Sequence, residues 1–270
     1  MPFEPELQAA LEAAGRAGQQ LRDLYDRFEV VPDAPADITT DADRQAQEII
    51  LGHLRRHFPE DALCAEEETP TLRQAPRSGP RWWIVDPIDG TRGFARKNGE
   101  FSVMIAFVEG GGVAVGVVLE PARGRVTYAV RGGGCWVRQG AAGEPQRCHV
   151  GTADRLAQAT LTESRPRKPG TLTRAAQALR PARVIETYSA GVKLALVARG
   201  EADVYVNSYE AFHDWDIAAG HVLVEEAGGR LTGLGGQELV YGTEGAWQRN
   251  GLLASNGRIH EAALKAWGEG

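Results

Sequence analysis

The sequence predicts a mixed α/β (α+β) protein with two sheet-bearing halves, and three observations carry that expectation. Apolar residues recur at helical spacing from Leu7 to Leu54. Short β-branched runs broken by glycines fill residues 102–130. Helix and strand signals alternate from residue 171 onward.

In chain order, Leu7, Ala10, Leu11, Ala14, Leu21, Leu24 and Phe28 form one stripe, so residues 5–28 are expected as an amphipathic helix. Pro32 and Pro35 break it. A second helix is expected over 41–57, with Ala46, Ile49, Ile50 and Leu54 inward. A polar, proline-containing stretch over 69–80 leads into Trp82-Trp83-Ile84-Val85, an apolar run expected as a buried strand. Segments 102–108, 113–119 and 125–130 are expected as antiparallel strands, because Gly110-Gly111-Gly112 and Arg123-Gly124 suit hairpin connections. The chain turns polar and glycine-rich after Gln139, which predicts two halves, residues 1–145 and 146–270. The second half reads as helix 171–179, strand 183–187, helix 192–198, strand 202–206, and helix 214–227 stopped by Gly228-Gly229.

A chain of 270 residues, 43% hydrophobic and 24% charged, has ample core and an ordinary globular composition. A net charge of −6, with no Lys/Arg-rich run, argues against a nucleic-acid polymer as partner. An acidic protein still accepts a phosphorylated small molecule when cations supply the local positive charge. Residues 1–8 carry Glu4 and Glu6 and lack the apolar segment of a signal peptide, and no run is long enough to span a membrane. Cys64, Cys135 and Cys148 are odd in number and lack C-x-x-C spacing, which suits a reduced cytosol and argues against zinc. The expectation is a cytoplasmic monomer or homodimer acting on a small phosphorylated substrate.

The strongest chemical signal is Asp86-Pro87-Ile88-Asp89-Gly90-Thr91, directly after the buried strand. Pro87 fixes its φ and removes a donor, and Gly90 allows a tight turn, so the chain leaves the sheet with both carboxylates and the Ile88 carbonyl aimed at one point. Hard cations such as Mg²⁺ take oxygen ligands of this kind. Three more acidic places join it: Asp43, in the capping-box pattern Thr40-x-x-Asp43; Glu66-Glu67-Glu68; and Asp216, at the start of a helix. Singly, each reads as a helix cap or a solvated acid. Together they read as ligands for two or three divalent ions. Ala218, Ala219 and Gly220 are expected to let a phosphate approach the N-terminus of that helix, and Gly90 with Thr91 to help from the turn. Metal ions beside phosphate-binding helix ends suggest phosphoryl transfer to water.

The segments Thr40-Asp41-Ala42-Asp43, Ala65-Glu66-Glu67, Asp86 to Thr91, and Trp215-Asp216-Ile217-Ala218-Ala219-Gly220 resemble, in order and approximate spacing, those of the lithium-sensitive, Mg²⁺-dependent phosphomonoesterases that include inositol monophosphatases. The resemblance covers nearly the whole chain and implies a layered αβαβα sugar-phosphatase-like fold with the site between two sheet domains. It further implies that Glu66, Asp86, Asp89 and the Ile88 carbonyl bind the first metals, and that Asp216 joins Asp86 and Asp89 at a second. By the same resemblance, Asp43 is expected to pair with Thr91 to activate water and to help bind a third ion. The resemblance thus makes Asp43, Thr91 and Glu66 the expected catalytic set, with Glu67 expected one step back.

Within that family, Gly93-Phe94, the run Arg96 to Val103, and Ser189-Ala190-Gly191-Val192-Lys193 resemble the 3′(2′),5′-bisphosphate nucleotidases, which remove one phosphate from adenosine 3′,5′-bisphosphate. Gly90, Thr91, Ser189, Gly191 and Lys193 are then the expected substrate contacts, with Lys193 meeting the phosphate that is not cleaved. An inositol-, sugar- or histidinol-phosphate phosphatase is the alternative. A catalytically dead relative serving as an interaction module is the remote one, disfavoured because every acidic motif and Thr91 are present. Two departures stand out. Residues 32–39, the lid of the family, lack its usual lysine, and Tyr188 stands where glycine is common.

Overall fold

A computed structural model describes residues 2–35, 38–166, 170–209, 212–242 and 247–269. Helices α1 (Glu4–Arg27) and α2 (Asp41–His57) form where the apolar stripes place them. Leu7, Ala10, Ala14 and Leu21 on α1, and Ala46, Ile50 and Leu54 on α2, are buried; Ile49 is only partly so. These faces cover one side of a sheet whose seven strands lie in chain order. They are β1 (Ala62–Ala65), β2 (Arg81–Asp89), β3 (Ser102–Glu109), β4 (Gly112–Glu120), β5 (Arg125–Val130), β6 (Gly134–Gln139) and β7 (Gln146–Arg147). β1 and β2 pair in parallel, and each later neighbour is antiparallel. Two short helices, α3 (Pro70–Arg73) and α4 (Thr91–Ala95), flank β2.

The side chains of β3 alternate between two cores. Val103, Ile105 and Phe107 pack under α1 and α2, while Met104, Ala106 and Val108 pack on the opposite face. Both faces of this mainly antiparallel sheet are therefore covered, and its central strands read as near-continuous apolar runs instead of alternating ones. Gly110 and Gly111, at φ of 65° and 78°, make the two-residue turn into β4, where Glu109 pairs with Gly112.

The second half continues as β8 (Thr160–Glu163), α5 (Arg174–Leu179), β9 (Arg183–Glu186), α6 (Ala190–Ala198), β10 (Val204–Asn207), β11 (Phe212–His213), α7 (Asp214–Glu226), β12 (Arg230–Thr232), β13 (Trp247–Gln248), β14 (Leu252–Ser255) and α8 (His260–Glu269). Helix α5 begins later than the expected residue 171, because the Thr173 hydroxyl caps it by accepting from the Ala176 N–H at 3.1 Å. A second sheet runs β12-β14-β10-β8-β9, and β11 pairs with β13 in a small ribbon. α6 and α7 lie between the two sheets, and α5 and α8 cover the outer face of the second. The layers are thus helix, sheet, helix, sheet, helix, the αβαβα order that the family resemblance implies.

The middle layer corrects one expectation. Ala218 and Ala219 are buried, and a Cβ on Gly220 would fall 2.5 Å from Leu194 Cβ. A Cβ on Gly116 would fall 2.3 Å from the Ala219 carbonyl. The small residues after Asp216 therefore let α7 seat against α6 and β4. They do not form a phosphate approach, because α7 already starts at Asp214 and they lie a turn inside it.

Candidate active site

The end of β2 supplies the centre of the site. The Asp86 carboxylate accepts from the Ile88 N–H at 3.0 Å, and β2 shifts register between Asp86 and Asp89 yet still pairs Asp89 with Ser102, so the chain leaves the sheet only after Asp89 and not at Pro87. Gly90, at φ 87°, then turns the chain into α4; a Cβ there would also lie 2.8 Å from the Glu100 carbonyl. This turn brings the Thr91 hydroxyl 2.9 Å from Asp43 Oδ1 and 2.9 Å from the Ile88 carbonyl.

Asp43 is held from its own helix. The Thr40 N–H donates to Asp43 Oδ2 at 2.8 Å and the Thr40 hydroxyl donates to the same oxygen at 2.6 Å, so the predicted capping box exists. It leaves Oδ1 for Thr91. The cap thus occupies Oδ2, while Oδ1 accepts from the Thr91 hydroxyl.

Two groups of carboxylates face this turn: Asp86, Asp89 and Asp216 in one, and Asp43, Glu66 and Glu67 in the other. In each, ligand-capable oxygens lie within 4.8 Å of one another. The groups adjoin, since Glu66 hydrogen-bonds Asp86. Burial, then the charges of Glu66, Asp89, Asp216 and Asp43, hold the Asp86 carboxyl well above the usual carboxylate range. Glu66 opens to solvent at its edge, yet the walls of the cleft and the charges of Asp216, Asp43 and Glu67 push it up to about 8. Burial pushes Asp216 up to about 7, against the lowering effect of the His213 N–H, which donates to it at 2.7 Å. Asp43 is raised too, by burial. Six acids so crowded, all oxygen donors, fit hard divalent cations, whose charge would offset the repulsion and burial that raise Asp43, Glu66, Asp86 and Asp216.

Asp89 is the most firmly fixed. Ser189 Oγ donates to its Oδ2, as do the Gly191 N–H at 2.7 Å and Ser102 Oγ at 3.2 Å; the Ala190 N–H reaches Oδ1 at 3.0 Å. The first turn of α6 thus holds a carboxylate of the protein itself at its positive end.

This geometry corrects the expected contact between the substrate's second phosphate and Ser189, Gly191 and Lys193. Ser189 and Gly191 serve Asp89. Lys193 is 1% exposed, and its ammonium donates to Ser164 Oγ at 3.2 Å and to the Thr187 and Tyr188 carbonyls, each at 3.1 Å. Three bonds use its three donors, so none remains for a phosphate. Burial lowers its pKa to about 8, opposed by Asp89, Glu100 and Glu163. The residue ties the β9–α6 connection together.

Gln47 belongs to the site and has no motif to announce it. Fully buried, it accepts the Glu67 N–H at 2.9 Å and donates to the Glu67 carbonyl, which fixes the Glu66-Glu67 segment against α2. Its one signal is position, four residues after Asp43 on the same helix face. Glu67, expected one step back, stands among the ligand-capable oxygens while accepting from the Thr39 hydroxyl and from Arg44 at 3.4 Å. Thr39 is thus the point where the altered lid meets the site; Ala36 and Asp37 of that lid lie outside the described residues.

The chain is 34% identical over 268 residues to a histidinol-phosphatase of Mycobacterium tuberculosis, covering 96% of each. It is 33% identical over 238 residues to a fructose-1,6-bisphosphatase/inositol-1-monophosphatase of Thermotoga maritima, covering 86% of this chain and 83% of that one. It is 30% identical over 241 residues to the 3′(2′),5′-bisphosphate nucleotidase CysQ of Escherichia coli, covering 87% and 93%. Among solved structures, the extragenic suppressor protein suhB of Bartonella henselae superposes with a TM-score of 0.82 at 27% identity, over 99% of this chain and 100% of that one. The model of the inositol monophosphatase family matches residues 3–269, so the chain belongs to that family of phosphatases.

Proposed function

We propose that the chain is a Mg²⁺-dependent phosphomonoesterase that takes a nucleoside 3′(2′),5′-bisphosphate, adenosine 3′,5′-bisphosphate above all, and yields AMP and phosphate. The observation that carries the hydrolytic half is the Thr91–Asp43 hydrogen bond at 2.9 Å beside two carboxylate groups. Cations held by Glu66, Asp86, Asp89, Asp216 and the Ile88 carbonyl, with Asp43 at a third place, would polarise the phosphoryl oxygens, lower the pKa of the attacking water and offset charge on the leaving oxygen. Thr91 donates its hydroxyl hydrogen to Asp43 Oδ1 and so keeps a lone pair for a hydrogen of that water. Burial raises the proton affinity of Asp43, which suits it to receive the proton passed through Thr91 Oγ1 as the water oxygen attacks phosphorus and the ester P–O bond breaks.

The substrate half is supported by the segments Gly93-Phe94 and Arg96 to Val103 and by the likeness to CysQ. Hydrolysis of histidinol phosphate is the second reading, favoured by the 96% mutual coverage with the mycobacterial relative. We further infer inhibition by Li⁺, two or three Mg²⁺ ions, and a reduced cytosolic setting, in keeping with free Cys64, Cys135 and Cys148. Steady-state kcat/KM on adenosine 3′,5′-bisphosphate, inositol 1-phosphate and histidinol phosphate tests the reading. The bisphosphate is expected to lead; a clear lead for histidinol phosphate would replace it.

A further inference from the structure

Three arginines gather around one phenol beside the catalytic carboxylates. Tyr188 directly precedes Ser189, which holds Asp89, and Arg92 directly follows Thr91. The two segments touch, since a Cβ on Gly90 would lie 3.2 Å from Ser189 Cα. The guanidinium carbons of Arg92, Arg96 and Arg165 stand 5.4, 5.9 and 5.9 Å from the centre of the Tyr188 ring. Arg96 Nη1 also donates to the Tyr188 hydroxyl at 2.8 Å.

The three arginines differ in what neutralises them. Arg165 forks onto Glu100, with Nε 2.9 Å from one oxygen and Nη2 on the other, and reaches Glu186 at 3.5 Å. Among the described residues no carboxylate pairs with Arg92 or Arg96. Arg92 Nε is buried with no hydrogen-bond partner, and Arg96 is exposed. Lys97, the next cation in sequence, faces away, donating to the Asp26 carbonyl at 3.1 Å and lying over Tyr25. Two like charges drawn to one ring repel each other. Cation–π contact offsets part of that cost, and an anion bound between their forks would offset far more.

We propose that Arg92 and Arg96, steadied on Tyr188, form the subsite for a second anionic group of the substrate, a phosphate carried by the same molecule as the phosphoryl group that is cleaved. The inference rests on the phosphatase reading and replaces Lys193 in the role of reading that group. Guanidinium forks match phosphate oxygens two at a time and stay charged at any working pH. A neutral polyol phosphate gains nothing from them. A substrate with an ammonium group, such as histidinol phosphate, is repelled. Tyr188 explains itself here as well: the guanidinium carbons of Arg92 and Arg96 lie over its ring, and its hydroxyl accepts from Arg96.

The test compares kcat/KM for adenosine 3′,5′-bisphosphate and inositol 1-phosphate, with Mg²⁺, in wild type, Arg96→Ala, Arg96→Lys and Lys97→Ala. In Arg96→Ala the bisphosphate-to-monophosphate ratio should fall about ten- to a hundredfold, mainly through KM, the size of a lost hydrogen bond to a charged group. Arg96→Lys should lose less, because charge remains without the fork, and Lys97→Ala should keep the ratio. An unchanged ratio in Arg96→Ala, or an equal fall in Lys97→Ala, overturns the subsite while the phosphatase reading stands on wild-type turnover. A wild type that releases no phosphate from any phosphomonoester removes both.

Discussion

The Thr91 hydroxyl sits 2.9 Å from Asp43 Oδ1, joining a residue of the β2–α4 turn to one on the first turn of α2, 48 positions earlier. Among the described residues, no other hydrogen bond joins α2 to the acidic turn. If this pair aligns the attacking water, Thr91→Ala should lower kcat about a hundredfold or more and change KM little, the pattern of an interaction made mainly in the transition state. Steady-state kinetics on one good substrate measures it. An unchanged kcat with raised KM would make Thr91 a phosphate contact only.

Asp86 is 2% exposed and is repelled by four neighbouring acids. Asp86→Asn keeps its shape and removes its charge. Phosphate release should fall at least about a hundredfold, as for loss of a metal ligand. The metal-free variant should melt no lower than metal-free wild type. Near-normal turnover would contradict the ligand role, and a collapsed fold by circular dichroism would make the residue structural.

The raised carboxyls also set a pH dependence. Unfolded Asp and Glu titrate near 4, whereas Glu66 and Asp216 rise to about 8 and about 7 in the folded chain. Between those limits the folded protein without metal binds more protons than the unfolded one, so its stability falls as pH rises. Buried His260, depressed to about 4, acts in the opposite sense, but only below its ordinary value near 6.5. The melting temperature in chelator should therefore drop from about pH 6.5 to about pH 8, and saturating Mg²⁺ should flatten the curve. A melting temperature that rises with pH in chelator would count against the clustered, raised acids.

Lys193 should behave as a structural cation. Lys193→Ala strands the Thr187 and Tyr188 carbonyls and leaves a cavity, a cost of about 2–5 kcal/mol. Denaturant unfolding should show that loss before any selective change in KM. Wild-type stability with a raised KM for the bisphosphate alone would return Lys193 to the substrate.

Much of this was legible in the sequence, for identifiable reasons. The stripes of α1 and α2 and the glycine-separated strands β3 to β5 depend on local periodicity, and the structure follows them. The acidic motifs lie at strand and helix ends, where local chemistry and placement coincide. The misreadings involve side-chain direction across the fold. By sequence Ser189, Gly191 and Lys193 read as donors for a phosphate, but Asp89, about a hundred positions away, takes the first two. Ala218 to Gly220 looked like an anion approach, but packing against Leu194 and β4 required small residues there. The Tyr188 arginines gain their meaning only from partners far off in sequence, and Gln47 has only its i+4 spacing from Asp43 to mark it.

Metal-dependent phosphomonoester hydrolysis is the claim on which the rest depends, and phosphate release with Mg²⁺, with excess chelator, and with Mg²⁺ restored tests it most directly. The account predicts release with Mg²⁺, its loss in chelator and its recovery on readdition; undiminished release in chelator, or none from any phosphomonoester with Mg²⁺ present, would contradict it.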